Sequence, residues 1–329
     1  MPRDAVPIIE VCRLTKHFPL GRLFGFGKRE VVHAVDDVSF AIQPGETLGL
    51  VGESGCGKST TGRLVLGLME PTEGSVRFQG RDLLAVSTEE RHRLRAQMQI
   101  VFQDPSASLN PRKTVRQILA KPFRIHAPMD RWKEEATIME LLETVGLSPA
   151  SLYIDRNPHE FSGGQRQRIG IARALALKPS FVVADEPVSA LDLSVRAQIL
   201  KLMQNLQCDF KLTYLFITHD LAVVRNVCSR VAVMYLGKLV EMAPTAELFA
   251  QRMHPYTQAL CSATPLPNPR LTRARERIIL AGDIPSQVSP PSGCRFHTRC
   301  SRRIDRCDRE DPSLVEQRVG HAVACHLYT

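Results

Sequence analysis

Aromatic side chains and long apolar runs are both scarce in this sequence. Only 6 % of its 329 residues are aromatic and one of them is tryptophan, which leaves no aromatic-interleaved basic platform for stacking unpaired nucleic-acid bases. No apolar run approaches the ~18 residues that a membrane-spanning helix needs, and the first ten residues lack the apolar core of a secretory signal. We therefore expect a cytosolic chain of about two domains. The net charge of +9 then indicates a basic surface near nucleotides or anionic headgroups.

A glycine-rich segment follows an early apolar strand. Residues 52–59 read GESGCGKS, after the apolar run 47–51 and before a segment compatible with a helix. A strand, a glycine turn and a helix start direct several backbone N–H groups at one point, where phosphate oxygens bind. In this pattern Lys58 reaches the β- and γ-phosphates and Ser59 ligates Mg²⁺. We therefore predict a nucleotide-binding P-loop made of Gly52, Glu53, Ser54, Gly55, Cys56, Gly57, Lys58, Ser59 and Thr60.

Two adjacent carboxylates follow a second apolar run. Residues 181–184 are typical of a buried parallel strand, and Asp185 and Glu186 come directly after them. Such a pair is costly to bury unless it meets a cation or a reacting water. We predict that Asp185 binds Mg²⁺ and that Glu186 polarises the attacking water. A solvated acid pair is the alternative, which the P-loop makes the weaker one.

A second glycine-rich helix start separates this chain from other P-loop proteins. Phe161-Ser162-Gly163-Gly164-Gln165 precedes a helix-prone segment, so it opens a second helix N-terminus that is receptive to anions. The segment resembles the Leu-Ser-Gly-Gly-Gln signature of ATP-binding cassette (ABC) ATPases, with phenylalanine in the first position. This resemblance implies that Ser162, Gly163, Gly164 and Gln165 cap an ATP molecule held by a partner subunit.

Further positions match the ABC family in the family's order. Gln103 corresponds to the glutamine that senses Mg²⁺ and the transport subunit, and Asp192 to the loop that crosses the dimer interface. His219 corresponds to the switch histidine at the γ-phosphate. His33 stands where the family commonly has a ring against adenine, and Phe18 is a possible second contact to the base.

The resemblance also implies a fold class. We expect an α/β P-loop NTPase of ABC type, with a RecA-like core, an antiparallel β subdomain and a helical subdomain. The nucleotide-binding domain is predicted over residues 1–245, its helical subdomain over about residues 104–165, and a loop-rich, metal-stapled extension over residues 246–329. Only 58 residues separate Gln103 from Ser162, too few for the long coiled coils that DNA-repair and chromosome-organising relatives insert there.

Four of the nine cysteines lie near the C-terminus with the spacing C-x5-C-x6-C-x17-C. Disulfides are disfavoured in a reducing cytosol, and the extension leaves no room for a conventional hydrophobic core. Clustered thiolates suit an iron–sulfur cluster or a tetrahedral zinc ion. The wide spacing favours the cluster, while zinc and unmetallated thiols remain alternatives for Cys294, Cys300, Cys307 and Cys325.

The same extension carries a second resemblance. Its HPYTQAL segment, its GDIPS turn and its cysteine tail resemble the C-terminal extension of dipeptide and oligopeptide ABC importer ATPases. This resemblance implies that the four cysteines hold a [4Fe–4S] cluster with a structural or regulatory role, Zn²⁺ being the alternative. It also implies a second homologous ABC ATPase subunit, two transmembrane permease subunits and a periplasmic peptide-binding protein, at the cytoplasmic face of the inner membrane.

These features together predict an ATPase that energises the import of dipeptides or oligopeptides. Two ATP molecules would be sandwiched between this subunit and its partner. The predicted catalytic residues are Glu186, His219 and Gln103, and the predicted Mg²⁺ ligands are Ser59, Gln103 and Asp185. Nickel or another small solute is the alternative cargo, and a nucleic-acid-associated ABC ATPase is the less favoured class.

Overall fold

The structure, a computed structural model, describes residues 6–21, 30–264 and 278–328. The chain divides into two units. The second unit comprises residues 43–45 and 85–216, and the first comprises residues 1–42, 46–84 and 217–329. The first unit therefore contains both the P-loop and the described part of the C-terminal extension.

The strands of the described residues begin and end as follows: β1 (Ile9–Pro19), β2 (Val31–Ile42), β3 (Thr47–Val51), β4 (Glu73–Phe78), β5 (Arg81–Asp82), β6 (Met98–Val101), β7 (Phe181–Asp185), β8 (Thr213–Thr218), β9 (Arg230–Tyr235), β10 (Lys238–Pro244), β11 (Val315–Arg318) and β12 (His321–Val323). In the first unit, β2-β1-β4-β5 form an antiparallel sheet. A second sheet there has the order β11-β12-β10-β9-β3, with β3 parallel to β9. The second unit has the strand order β8-β7-β6, with β6 parallel to β7.

The helices are α1 (Lys58–Val65), α2 (Thr88–Gln97), α3 (Pro105–Ser108), α4 (Val115–His126), α5 (Arg131–Thr144), α6 (Gly163–Leu175), α7 (Leu193–Phe210), α8 (Leu221–Val227), α9 (Thr245–Ala250) and α10 (Pro255–Ala263). Three of them, α3 to α5, lie within residues 104–165, the predicted helical segment. Among the helices described, none combines the length and the apolar character needed to cross a bilayer.

The two strands that lead into the predicted motifs, β3 and β7, are buried on both faces. Every residue of β3 and of β7 is buried, as expected for continuous apolar runs in a parallel sheet. The sequence prediction of strands at 47–51 and 181–184 is therefore confirmed. The P-loop follows the end of β3, and β7 ends at Asp185.

The C-terminal extension shares the core of the first unit. Its hairpin β11–β12 pairs with β10, with Glu241 opposite Val323. Phe296 is 1 % exposed, and its ring centroid lies 5.2 Å from that of Tyr235 and 5.4 Å from that of Tyr256. The extension, predicted to lack a conventional core, thus buries Phe296 and most of β12 against the rest of the unit.

Candidate nucleotide and cysteine sites

The P-loop has a backbone path that only glycine allows. Gly57 has a φ angle of 110°, and a Cβ atom there would lie 2.1 Å from the carbonyl oxygen of Ala34. A Cβ atom at Gly52 would lie 2.1 Å from the carbonyl oxygen of Met234. These clashes explain why the loop needs glycine at both positions.

Lys58 opens α1 and folds back over the loop. Its ammonium donates hydrogen bonds to the carbonyl oxygens of Gly52 and Glu53, at 2.8 and 2.9 Å. The side chain of Cys56 is buried beside it, and this burial raises the pKa of the thiol. A fixed cation beside the N-terminus of a helix is suited to bind an anionic phosphate.

The extension holds the P-loop through Glu53. The backbone N–H of Glu53 donates to the hydroxyl oxygen of Tyr256 at 3.0 Å, and Tyr256 is fully buried. The guanidinium of Arg299 donates to the Glu53 carboxylate at 3.0 Å, with 9 % of the Arg299 side chain exposed. Sequence reasoning missed both contacts, although the HPYTQAL segment contains Tyr256 and the cysteine tail contains Arg299.

In the second unit, two predicted catalytic side chains meet. The amide of Gln103 donates to the carboxylate of Glu186 at 3.0 Å. Asp185 is 5 % exposed at the end of β7. Glu186, the next residue, has a φ angle of 45°, so the backbone turns sharply where the two carboxylates separate.

The second glycine-rich helix start is closed by its own side chains. The hydroxyl of Ser162 accepts a hydrogen bond from the backbone N–H of Gln165, and the Gln165 side chain accepts one from the N–H of Ser162. This reciprocal capping box fixes the start of α6. A Cβ atom at Gly164 would lie 2.4 Å from Val195, so glycine also allows α6 to approach α7 closely.

The remaining predicted residues fall in both units. Asp192 is exposed directly before α7 in the second unit, whereas His219 is exposed directly after β8 in the first. The ring of His33 lies against that of His17, with centroids 4.2 Å apart, and near Asp36. His33 is thus already engaged by its neighbours on β1 and β2.

The four C-terminal cysteines converge in the first unit. The thiols of every pair lie close enough to interact electrostatically, and none of the four forms a disulfide. Burial raises the pKa of Cys294, Cys300 and Cys325, and the backbone N–H two residues later, of Phe296, Arg302 and Leu327 respectively, lowers each pKa in part. Burial raises the pKa of Cys294 to about 12, so converging thiolates need a compensating cation.

The spacing of these sulfurs is wider than one small ion requires. Among the described residues, no three of the four thiols have sulfur atoms that all lie within 4.8 Å of one another. Sulfurs around a tetrahedral zinc ion, with Zn–S bonds of about 2.3 Å, lie about 3.8 Å apart.

Known proteins align with the whole chain. The oligopeptide transport ATP-binding protein AppF of Bacillus subtilis (strain 168) is 52 % identical over 325 residues, which cover 98 % of each chain. The ABC transporter family model matches residues 35–189. This chain belongs to the ABC transporter family of ATP-binding subunits. A second model, the C-terminal region of oligopeptide/dipeptide transporters, matches residues 240–307 and so includes the first three of the four cysteines.

Solved structures confirm the ABC ATPase fold. The ATP-binding cassette MJ0796, in a dimeric post-hydrolysis state bound to ADP and Pi, is 28 % identical with a TM-score of 0.64, covering 72 % of this chain and 98 % of its own. The cassette cbiO1 of Clostridium perfringens, part of the ABC transporter complex cbiONQ, is 26 % identical with a TM-score of 0.63, covering 75 % and 92 %. As a member of this family, the chain is an ATP-hydrolysing transport subunit.

Proposed function

We propose that this ABC ATPase energises the import of dipeptides or oligopeptides. The observation that carries the proposal is the continuous similarity to AppF, which runs through the P-loop and through the oligopeptide/dipeptide-type C-terminal region. Nickel or another small solute is the alternative cargo. The proposal divides the chain into an ATPase part, residues 1–245, and an extension, residues 246–329.

The nucleotide chemistry is assigned to the motif residues that the sequence predicts. In this proposal Lys58 binds the β- and γ-phosphates, and Ser59, Gln103 and Asp185 are Mg²⁺ ligands. Glu186 polarises the attacking water, and its hydrogen bond from Gln103 supports the assignment because it fixes the carboxylate. His219 contacts the γ-phosphate. The residues that meet the ATP of a partner subunit are Ser162, Gly163, Gly164, Gln165 and Asp192.

The adenine contact is assigned to the β1–β2 region. His33 and Phe18 are its candidates, and the engagement of the His33 ring by His17 and Asp36 favours Phe18. The ammonium of Lys16 lies over one face of the Phe18 ring, 5.3 Å from the ring centroid. We expect an adenine ring to stack on the face of Phe18 that this ammonium leaves open.

The four cysteines are proposed to hold a [4Fe–4S] cluster, with zinc as the alternative. Support comes from the electrostatic interaction of every pair of these thiols, and no three of their sulfurs lie within 4.8 Å of one another as zinc ligands would. When bound, the cluster would supply the cationic centre that stabilises the four thiolates. We assign it a structural or regulatory role, because no redox substrate site is associated with it in the proposal.

The proposed partners are a second homologous ATPase subunit, two transmembrane permease subunits and a periplasmic peptide-binding protein. The assembly would place this chain at the cytoplasmic face of the inner membrane. A charge of +9 is compatible with anionic headgroups nearby, and we expect no nucleic-acid partner.

Reconstitution tests this function. The chain would be purified with its membrane subunits, placed in lipid vesicles and supplied with the peptide-binding protein, and ATP hydrolysis and uptake of a labelled peptide would be measured. We expect peptide-dependent hydrolysis and uptake. Uptake of Ni²⁺ without peptide would support the alternative cargo. Hydrolysis stimulated by DNA or RNA in a salt-sensitive manner, without association with membrane subunits, would contradict the proposal.

The metal assignment has its own test. Iron, acid-labile sulfide and zinc would be measured on anaerobically purified protein, together with the visible absorption spectrum. About four iron and four sulfide per chain are expected. One zinc ion per chain without sulfide would replace the cluster by the zinc alternative.

A further inference from the structure

Two imidazoles and one carboxylate converge on the antiparallel sheet of the first unit. His17 on β1 and His33 on β2 are opposite each other in the register of the two strands, with His17 Nε2 3.1 Å from His33 Nδ1. Asp36, also on β2, places Oδ1 3.6 Å from His17 Nε2 and Oδ2 3.9 Å from His33 Nδ1. Within the described part of the chain, these three form the group of His, Cys, Asp or Glu ligand atoms that lie within 4.8 Å of one another.

Hydrogen bonding explains only part of this arrangement. One ring nitrogen can donate to the other, which accounts for the separation of 3.1 Å between His17 and His33. The carboxylate oxygens lie beyond hydrogen-bond distance from both rings. Asp36 is instead held by the guanidinium of Arg295, which donates to Oδ2, so its other oxygen faces the histidines without bonding to them.

The separations match those of ligands around one metal ion. Nitrogen and oxygen ligands lie about 2.0–2.2 Å from zinc. Around a tetrahedral centre they are then about 3.4 Å apart. The separations of 3.1 Å between the two ring nitrogens and 3.6 Å between Asp36 Oδ1 and His17 Nε2 lie around this value, and one ligand atom of each residue lies within 4.8 Å of the other two. Small rotations of the side chains would place all three at bonding distance from a common centre.

We propose that His17, His33 and Asp36 form a binding site for one divalent transition-metal ion of the zinc, cobalt or nickel class. Imidazole and carboxylate ligands suit these ions. The three side chains are 26, 30 and 22 % exposed, which leaves room for water ligands to complete the coordination. This site is separate from the four cysteines and from Phe18, the favoured adenine contact, and it does not depend on the proposed cargo.

The surroundings explain how strongly the ion would be held. Arg295 orients Asp36 from behind, as partners of metal-binding carboxylates commonly do, but its positive charge opposes the ion. We therefore expect an exchangeable ion.

The position of the site predicts what the ion does. It would link β1 to β2, and Arg295, which belongs to the extension, donates to Asp36 in this site and to the carbonyl oxygen of Leu236. The ion would thus fasten the edge of the β1–β2 sheet to the C-terminal extension. We expect it to raise the melting temperature of the protein.

Titration with Co²⁺ tests the site on the full chain, purified with its cysteine site as isolated. Cobalt bound by thiolates gives intense near-ultraviolet charge-transfer absorption, whereas cobalt bound by nitrogen and oxygen gives weak visible bands. We expect wild-type protein to bind one equivalent with only the weak bands, and His17→Ala and His33→Ala each to lose that equivalent. The rise in melting temperature on adding Co²⁺ should be lost with it.

The chain supplies a matched control. His92 and His126 also stack with centroids 4.2 Å apart, but no third ligand joins them within the described residues. His92→Ala should therefore bind Co²⁺ as wild type does. The proposal is wrong if wild type, His17→Ala and His33→Ala bind the same number of Co²⁺ equivalents with the same spectra and the same thermal shift.

Discussion

The two glycine-rich helix starts of this ATPase look alike in sequence but differ in backbone conformation and in how the helix N-terminus is capped. Before α1, the P-loop glycines have backbone conformations that exclude a side chain, and Lys58 is folded over the loop. Before α6, neither Gly163 nor Gly164 has a positive φ angle, and Ser162 and Gln165 cap the helix reciprocally. The first start therefore depends on glycine backbone conformations, whereas the second is stabilised by its own capping side chains.

The two starts also differ in what supports them. The P-loop is held from outside, by Tyr256 and Arg299 of the extension. The start of α6 is held by residues three positions apart on the same turn. A loop supported by distant residues can respond to changes in the extension, and a self-capped helix start cannot respond in this way.

The largest expected effect concerns hydrolysis at the P-loop site. Glu186→Gln should lower the rate of ATP hydrolysis by about 10²- to 10⁴-fold, because the general base is lost, while ATP binding is retained. Single-turnover hydrolysis and nucleotide binding would be measured on the assembled subunits. Glu140→Gln, a change on α5, is the control and should hydrolyse ATP normally. Normal turnover at the substituted site would refute the role of Glu186.

Alanine substitution of one glycine in each helix start tests the comparison directly. Gly57→Ala should lower the free energy of unfolding by about 3 kcal/mol, since the new Cβ atom meets the Ala34 carbonyl at a strained φ angle. Gly163→Ala should leave stability unchanged, because its Cβ atom would only contact Leu191 at 3.5 Å, yet it should slow ATP hydrolysis in the assembled transporter. Denaturant unfolding and ATPase assays measure both. Equal stability losses would show that the two helix starts do not differ as described.

Acid should weaken the support of the P-loop and leave the self-capped helix start unchanged. Burial lowers the pKa of His254 to about 3 from its ordinary 6.5, so the unfolded chain binds this proton more readily. Stability is therefore present above pH 6.5 and is lost as the pH falls toward 3, by about 2 kcal/mol between pH 7 and pH 5.

The His254→Asn variant isolates this contribution. Asparagine preserves an acceptor for the N–H of Tyr256, which His254 Nδ1 accepts at 3.1 Å, but it does not titrate. Denaturant unfolding at pH 7 and pH 5 should show a smaller loss in the variant than in wild type. An identical loss in both proteins would assign the acid sensitivity to other groups.

The smallest expected effect is that of a single hydroxyl. Tyr256→Phe removes the acceptor for the Glu53 N–H, and a neutral hydrogen bond contributes about 0.5–1.5 kcal/mol. The dissociation constant for ATP should rise about 2- to 12-fold, with kcat unchanged. Tyr328→Phe is the matched control, because that hydroxyl belongs to the extension but donates to the carbonyl of Met253. Equal ATP affinities in the two variants would show that the Tyr256 hydroxyl does not support nucleotide binding.

The sequence predicts most of the motif geometry and little of its support. Strand, turn and helix at residues 47–68 are determined by neighbours in the chain, so the P-loop could be inferred from its pattern. The contact between Glu53 and Arg299 joins residues 246 positions apart, and no local pattern encodes it. The meeting of His17 with His33 depends on register shifts in β1 beside His17, which alternation of side chains does not reveal. The sequence does not reveal that the hairpin of the extension pairs with β10, because that pairing joins the hairpin to a strand far away in the chain.

Because Glu53 contacts Tyr256 and Arg299, the ATPase part and the extension of this chain cannot be exchanged independently of each other. Grafting the extension onto a shorter cassette would succeed only if the recipient offers a carboxylate at the position of Glu53 and space for a buried tyrosine behind its loop. Deleting the extension from this chain would leave the Glu53 N–H and carboxylate without these partners. A chimaera designed by motif boundaries alone would therefore contain the ATP motifs but lack the extension residues that support the P-loop.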